Sequence, residues 1–221
     1  MDPDVKPSAS AGTTRAQRTE QRIIATASDL FLARGYRGTT LADVAAAAGV
    51  GDRTVYVRFG TKADLLKRVI DVAVVGDTLP INLANRDWVV TVMNAPTLHE
   101  RIAADAAGTT EVMERVGPLL ALAIQVEADE AVIARAAQAA REDTLSQVRQ
   151  FWEKLRADGL MNTKSDIEWV IGTSGLLAGA ETYVHMTRTL RWRPAEYERW
   201  RYRTWMHLAT TAGPEDDRVY A

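Results

Sequence analysis

The sequence predicts an all-α protein, a small three-helix head joined to a larger helical body, with about nine helices in all. Three observations predict it. Apolar residues recur at i, i+3, i+4 and i+7 along most of the chain, and no stretch alternates with the period of two that a strand requires. Thr or Ser followed three residues later by Asp or Glu heads several of these segments, the form of a capping box that satisfies free N–H groups at a helix start. Glycines stand where the periodic segments stop.

The elements follow in order. Residues 1–14 carry Pro, Ser, Gly and Thr without apolar periodicity and read as a disordered tail. From Arg15, a first helix places Ile23, Ile24, Ala27, Leu30 and Phe31 on one face, and Gly35 stops it. Thr40 with Asp43 opens a short second helix through Leu41, Val44, Ala45 and Ala48. Gly49-Val50-Gly51 breaks it, and residues 52–59 resume with Val55 and Phe59 inward. Two short helices around a glycine-containing turn form a helix-turn-helix over about residues 40–59. Gly60 ends the third helix, and Thr61 with Asp64 opens a fourth along Leu65, Leu66, Val69, Ile70 and Ala73.

Pro80, Asn82, Asn85 and Asn94 blur the pattern, so residues 77–96 read as a connection with one helical turn. Helices are then expected over 97–106, 110–126, 129–156, 165–190 and 194–211. Their breaks fall at Gly108, Ala128, Gly159 and 191–193. Thr97 with Glu100 and Ser165 with Glu168 are further boxes, and Pro194 suits a first helical turn. The expected organisation is a head over 15–61, a body over 62–213 and a tail over 214–221.

Composition narrows the function. The chain has 221 residues, 47% of them hydrophobic, enough for a packed core. It has no cysteine, which excludes disulfides, thiolate metal sites and cysteine redox sensing, and its three histidines leave little for a metal centre. No cofactor or metal is expected. The longest apolar run, residues 119–124, is far short of the ~20 residues of a membrane helix, and no basic-then-apolar leader opens the chain. A cytoplasmic protein is expected. Residues 1–68 hold 11 Lys and Arg against 7 Asp and Glu, and the remainder holds 16 against 22. A basic head on an acidic body is the footprint expected when one end meets a polyanion.

An enzyme finds no support: nucleotide loops, His-Glu-x-x-His pairs and serine nucleophile motifs are all missing from the sequence. Asp129-Glu130 and Glu142-Asp143 are adjacent in sequence and so point different ways on a helix. A helical module that binds small molecules without DNA is the other alternative, and it leaves Arg53, Tyr56 and Lys62 without a role.

The strings Gly38-Thr39-Thr40-Leu41-Ala42-Asp43-Val44-Ala45, Ala48-Gly49-Val50, Thr54-Val55-Tyr56 and Phe59-Gly60-Thr61-Lys62-Ala63-Asp64-Leu65-Leu66 occur in order at set distances. Over residues 15–70 this pattern closely resembles the N-terminal domain of the tetracycline-repressor (TetR) family of transcriptional regulators. The resemblance implies a homodimer on a pseudo-palindromic double-stranded DNA operator, and a repressor released by a small-molecule effector. An activator would bind in the same way. It implies phosphate contacts from Thr39 or Thr40, Tyr56 and Lys62, and the chemistry agrees. Helix N-termini offer free N–H groups to anions, hydroxyls donate to phosphate, and a lysine releases counterions. Thr40 as a cap alone and Tyr56 as core are the competing roles.

Base reading falls to the exposed face of the third helix, with Gly51, Arg53, Thr54 and Val57. Arg53 suits a bidentate contact to guanine, and Thr54 or Val57 a thymine methyl. Arg58 is a further phosphate candidate. Gly51 stands where the family often has a serine cap. Asp52 caps the helix, accepts from cytosine or repels the DNA, the cap being favoured. Arg15, Arg18 and Arg22 reach the duplex or form a solvated basic face.

The remaining chain resembles the family's regulatory domain in length and helix rhythm. The resemblance implies an effector among its helices and dimerisation through the last two. Ile171, Ser174, Leu177 and Ala178 form one apolar stripe there, and Tyr197, Trp200, Thr204, Trp205 and Leu208 another. Interface and ordinary intrachain core are both open for them. Trp152, Trp169, Glu181, Tyr183 and His185 are the effector-pocket candidates. Glu181 and His185 alternatively pair with each other, or with Arg188.

Overall fold

The structure, a computed structural model, describes residues 14–76 and 87–211. Residues 1–13 of the expected first tail, the expected tail over 214–221 and residues 77–86 of the expected connection lie outside the described residues. Ten helices are described: α1 (Arg15–Arg34), α2 (Leu41–Ala48), α3 (Asp52–Phe59), α4 (Lys62–Val75), α5 (Asp87–Asn94), α6 (Leu98–Val126), α7 (Ala131–Ala157), α8 (Ile167–Leu177), α9 (Ala180–Arg188) and α10 (Pro194–Thr210). No strand occurs among the described residues. No helix among them is long and apolar enough to cross a membrane.

The head forms as its local signals dictate. Thr40 and Thr61 each accept from the backbone N–H of the aspartate three residues on, and that aspartate accepts from the threonine N–H in return. Hydrogen bonds to Thr40 hold the Asp43 carboxyl below its usual range. Gly49 takes the left-handed conformation, φ 63°, that lets α2 stop and α3 start within three residues. Thr14 with Gln17 makes one more capping box, at the start of α1.

Four body expectations are corrected. Gly108 does not break a helix: α6 runs unbroken through it, and the glycine is buried where a Cβ would lie 2.3 Å from the Trp88 ring. Residues 165–190 form two helices, because Gly179 is extended at ψ 151° and the Thr182 hydroxyl donates to the freed Leu176 carbonyl at 3.0 Å. Asp166, not Ser165, caps α8, since the Ser165 hydroxyl donates to Thr211 O at 2.7 Å. The one helical turn expected within 77–96 is the eight-residue α5.

Helix α6 organises the body, packing against α10, α5, α4 and α9. The first core contains Ile23, Phe31, Val44, Val55, Leu65 and Leu66 of the head and continues into Leu119, Val126 and Ile133. Head and body thus share one apolar core at the ends of α6 and α7. A second core gathers Ile102, Trp152, Leu155, Ile171, Trp205 and Leu208. Tyr183, Met186 and Tyr197 form a third.

Candidate nucleic-acid interface

Helix α3 has a two-sided character. Val55 and Phe59 are buried against the head, whereas Arg53, Thr54, Tyr56 and Val57 are exposed. Tyr56 is 52% and Val57 76% exposed, large groups on the face of α3 turned away from that packing. Arg53 has no partner among the described residues. The packing that buries Val55 therefore aims four contiguous groups outward: a cation, a hydroxyl, a phenol and a branched apolar side chain. That mixture suits groove edges and phosphates.

Gly51 is the N-cap of α3 and supplies no side-chain cap. Asp52 is the first helical residue and does not cap, contrary to expectation, because the cap position falls one residue earlier. Its carboxylate lies in the first turn, where the helix dipole favours negative charge.

The phosphate candidates divide. Thr40 is exposed at the start of α2, its hydroxyl engaged with Asp43 at 2.6 Å. Lys62 opens α4, and its Nζ donates to Tyr36 O at 2.8 Å while lying 4.2 Å from the centre of the Tyr36 ring. Thr39 is corrected: it is fully buried and its hydroxyl donates to Leu30 O and Gly35 O, so it is closed to a ligand. Arg58 is held by Glu20 of α1 at 3.1 Å, and Arg68 grips the same carboxylate. This pairing sits at a surface cleft of about 500 Å³ between α1, α3 and α4. Arg15 and Arg22 are exposed on the outer side of α1.

In the body, the expected interface stripes face inward. Ile171, Ser174, Ala178, Tyr197, Trp205 and Leu208 are buried within the single chain, and Leu177 and Trp200 pack against the second core. Thr204 is half-buried. The stripes are intrachain core because α10 lies along α6 and α8. The outward apolar groups are others: Trp169 at 53% and Leu176 at 80% exposure, on one face of α8, with Leu145 of α7 beside Gly175.

The five pocket candidates are not brought together. Trp152 is core, its indole N–H donating to Ser174 Oγ at 2.7 Å, and Tyr183 packs edge-on against Tyr197. Trp169 and His185 are exposed. Glu181 pairs with neither His185 nor Arg188 but with Arg141, at 2.7 Å. Among the described residues no group of acidic and histidine side chains is placed to hold a metal ion.

Sequence reasoning missed the strongest polar feature of the body. Arg201, 4% exposed, donates to Asp105 at 2.8 and 3.3 Å and lies over the Trp205 ring. Its Nη1 and the neighbouring Tyr197 hydroxyl, though close enough to interact electrostatically, have no hydrogen bond of ordinary geometry. Burial raises the Tyr197 phenol above its usual range. The signal was available: Arg201 stands four residues from both Tyr197 and Trp205, on an otherwise apolar stripe.

Comparison with known proteins bears on the head. Residues 23–69 match the family described as bacterial regulatory proteins, tetR family. The HTH-type transcriptional regulator TtgR of Pseudomonas putida is 43% identical over 56 residues, 25% of this chain and 27% of the relative. The match thus spans about a quarter of that relative's length. A candidate TetR-family regulator from Mesorhizobium loti has a solved structure with a TM-score of 0.66 at 22% identity, covering 88% of this chain and 96% of its own. A complex of SmeT with triclosan gives 0.67 at 16% identity over 91% and 98%. At these identities the likeness is one of fold, and it extends across head and body.

Proposed function

We propose that this chain is a member of the TetR family of bacterial regulatory proteins, which its residues 23–69 match, and a sequence-specific DNA-binding transcriptional regulator. Residues 15–61 read duplex DNA and residues 62–213 sense a small molecule and dimerise. The uncovered face of α3, with Arg53, Thr54, Tyr56 and Val57, carries the reading. It enters the major groove, while Thr40 and Lys62 at the starts of α2 and α4 meet phosphates on either side.

A second copy docks on the outward face of α8. Trp169 and Leu176 are large, apolar and uncovered in the single chain, and the Arg149–Glu168 pair provides a polar rim. A two-fold dimer presents two α3 helices to half-sites one or more turns apart, each turn roughly 34–36 Å. Leu176→Glu is expected to yield a monomer in analytical ultracentrifugation. A dimer that survives places the interface elsewhere.

Arg201 Nη1 and Tyr197 Oη, buried close to one another beside the aromatic third core without a hydrogen bond of ordinary geometry, support a small apolar effector carrying a hydrogen-bond acceptor. The SmeT complex shows the fold holding triclosan in another protein. Binding there releases the operator, which makes the protein a repressor.

Selection of bound duplexes from random DNA, followed by affinity measurements across salt, tests the reading. The expected result is a recurring two-fold-related motif bound with a steep salt slope. Enrichment of no motif, or salt-insensitive binding, overturns it.

A further inference from the structure

Beside the apolar core they share, the head and the α6–α7 turn are joined by a buried side chain, Tyr36. Tyr36, in the loop between α1 and α2, is 7% exposed. Its carbonyl and its ring both hold the Lys62 ammonium, at 2.8 Å and 4.2 Å. Its hydroxyl donates to Glu130 Oε1 at 2.7 Å, a residue 94 positions away. Glu130 is the N-cap of α7 but makes no side-chain cap there; its carboxylate serves the head instead. Burial and the Glu130 hydrogen bond push the phenol far above its ordinary range, so it remains a donor at any working pH.

The same turn is held from the body. Arg141 of α7 grips both oxygens of Glu127 at 2.8 Å and donates to Glu181 of α9 at 2.7 and 2.9 Å. Beside these, the Arg37–Asp129 pair is 88% and 62% exposed and contributes little. Residues 127–130 therefore sit between two anchored contacts, one to α9 and one to the residue that holds Lys62.

We propose that Tyr36 is a positioning residue: it sets where Lys62 stands against the DNA and couples that position to the 127–130 turn, which relays the state of the body to the head. The inference rests on the DNA-binding reading above. A turn that shifts pulls Tyr36 by its hydroxyl, and with it the carbonyl and ring that hold the ammonium. The coupling is reciprocal, so a phosphate that draws on Lys62 must be felt at the turn.

Hydrogen exchange of the full chain, with and without a duplex recovered by selection, tests this. The amides of Asp129 and Glu130 both donate to Val126 O at 3.0 Å and report on the turn directly. In the wild type their exchange is expected to slow when the duplex binds. Tyr36→Phe keeps the ring and the carbonyl and removes only the bond to Glu130. It is expected to bind the duplex with an unchanged salt slope and to lose about five-fold of the DNA-linked protection, the equivalent of one net hydrogen bond. Glu130→Ala removes the same bond from the other side and must give the same loss, whereas Arg37→Ala must not. Equal protection in wild type and Tyr36→Phe, or none in either while the duplex is bound, overturns the coupling. Failure of the wild type to bind any duplex at low salt is a different result, overturning the DNA-binding reading and the coupling with it.

Discussion

The head and the body are both bundles of helices, yet they place their polar groups in opposite ways. In the head, the helix starts are closed locally, by Thr40 with Asp43 and Thr61 with Asp64, the longer-range pairs Arg58–Glu20 and Lys62–Tyr36 stay partly exposed, and the outer face of α3 is left uncovered. In the body, Arg101 and Arg201 are driven into the interior and held by Asp158 and Asp105, partners far away in the chain. A region whose polar groups are satisfied by near neighbours can leave one face free for a ligand. A region that buries charge depends on its tertiary contacts, so its parts move together.

The buried pair offers the largest test of that difference. Asp105→Asn leaves the Arg201 guanidinium charged and inside, at an expected cost of about 3–5 kcal/mol, read as a lowered denaturation midpoint. Asp105→Leu combined with Arg201→Met removes both charges and is expected to recover most of the loss. Thr40→Ala in the head, by contrast, removes the cap of α2 and should cost only about 1 kcal/mol. Equal losses at the two sites would erase the distinction between local and tertiary polar groups.

The uncovered face of α3 is tested by substitution at its exposed side chains. Arg53→Ala is expected to cost about 1–3 kcal/mol on the preferred duplex and to relax preference at one base pair. Lys62→Ala should weaken every duplex alike and lower the salt slope by about 0.9. If Arg53→Ala also weakens all sequences evenly, that arginine meets phosphate and the reading falls to Thr54 and Val57. Double replacement of the Asp105–Arg201 pair should alter neither base preference nor salt slope.

What the sequence revealed follows the same divide. The head was legible because its signals are short: Thr40 and Asp43 are three residues apart, and Gly49 and Gly60 mark where α2 and α3 stop. Thr39 was misread because its burial depends on Leu30 and Gly35 carbonyls, which no motif announces. In the body, the stripe through Tyr197, Trp205 and Leu208 was seen correctly as apolar, but periodicity does not name a partner. The stripe meets its own chain. Gly108 reads as a stop because glycine stops helices; Trp88, which requires its missing side chain, lies outside the local window.

Two glycines carry the smaller effects and sharpen the contrast further. Gly117 lies inside α6, where a Cβ would fall 2.3 Å from the Tyr183 ring. Tyr183 cannot easily yield, because it is buried edge-on against Tyr197 at 4.9 Å. Gly117→Ala gains helix propensity of about 1 kcal/mol, yet the overlap is expected to outweigh it and leave a net loss of about 1–2 kcal/mol. Gly51 is the opposite case. It has φ −71°, which any residue adopts, and a Cβ there would find nothing nearer than the Thr54 hydroxyl at 4.0 Å. Gly51→Ser supplies the cap that α3 lacks and reduces the freedom of the unfolded chain, for an expected gain of about 0.5 kcal/mol. Thermal denaturation of the two variants checks both signs. A Gly51→Ser variant that is less stable than the wild type would mean that the start of α3, too, depends on contacts its local sequence does not announce.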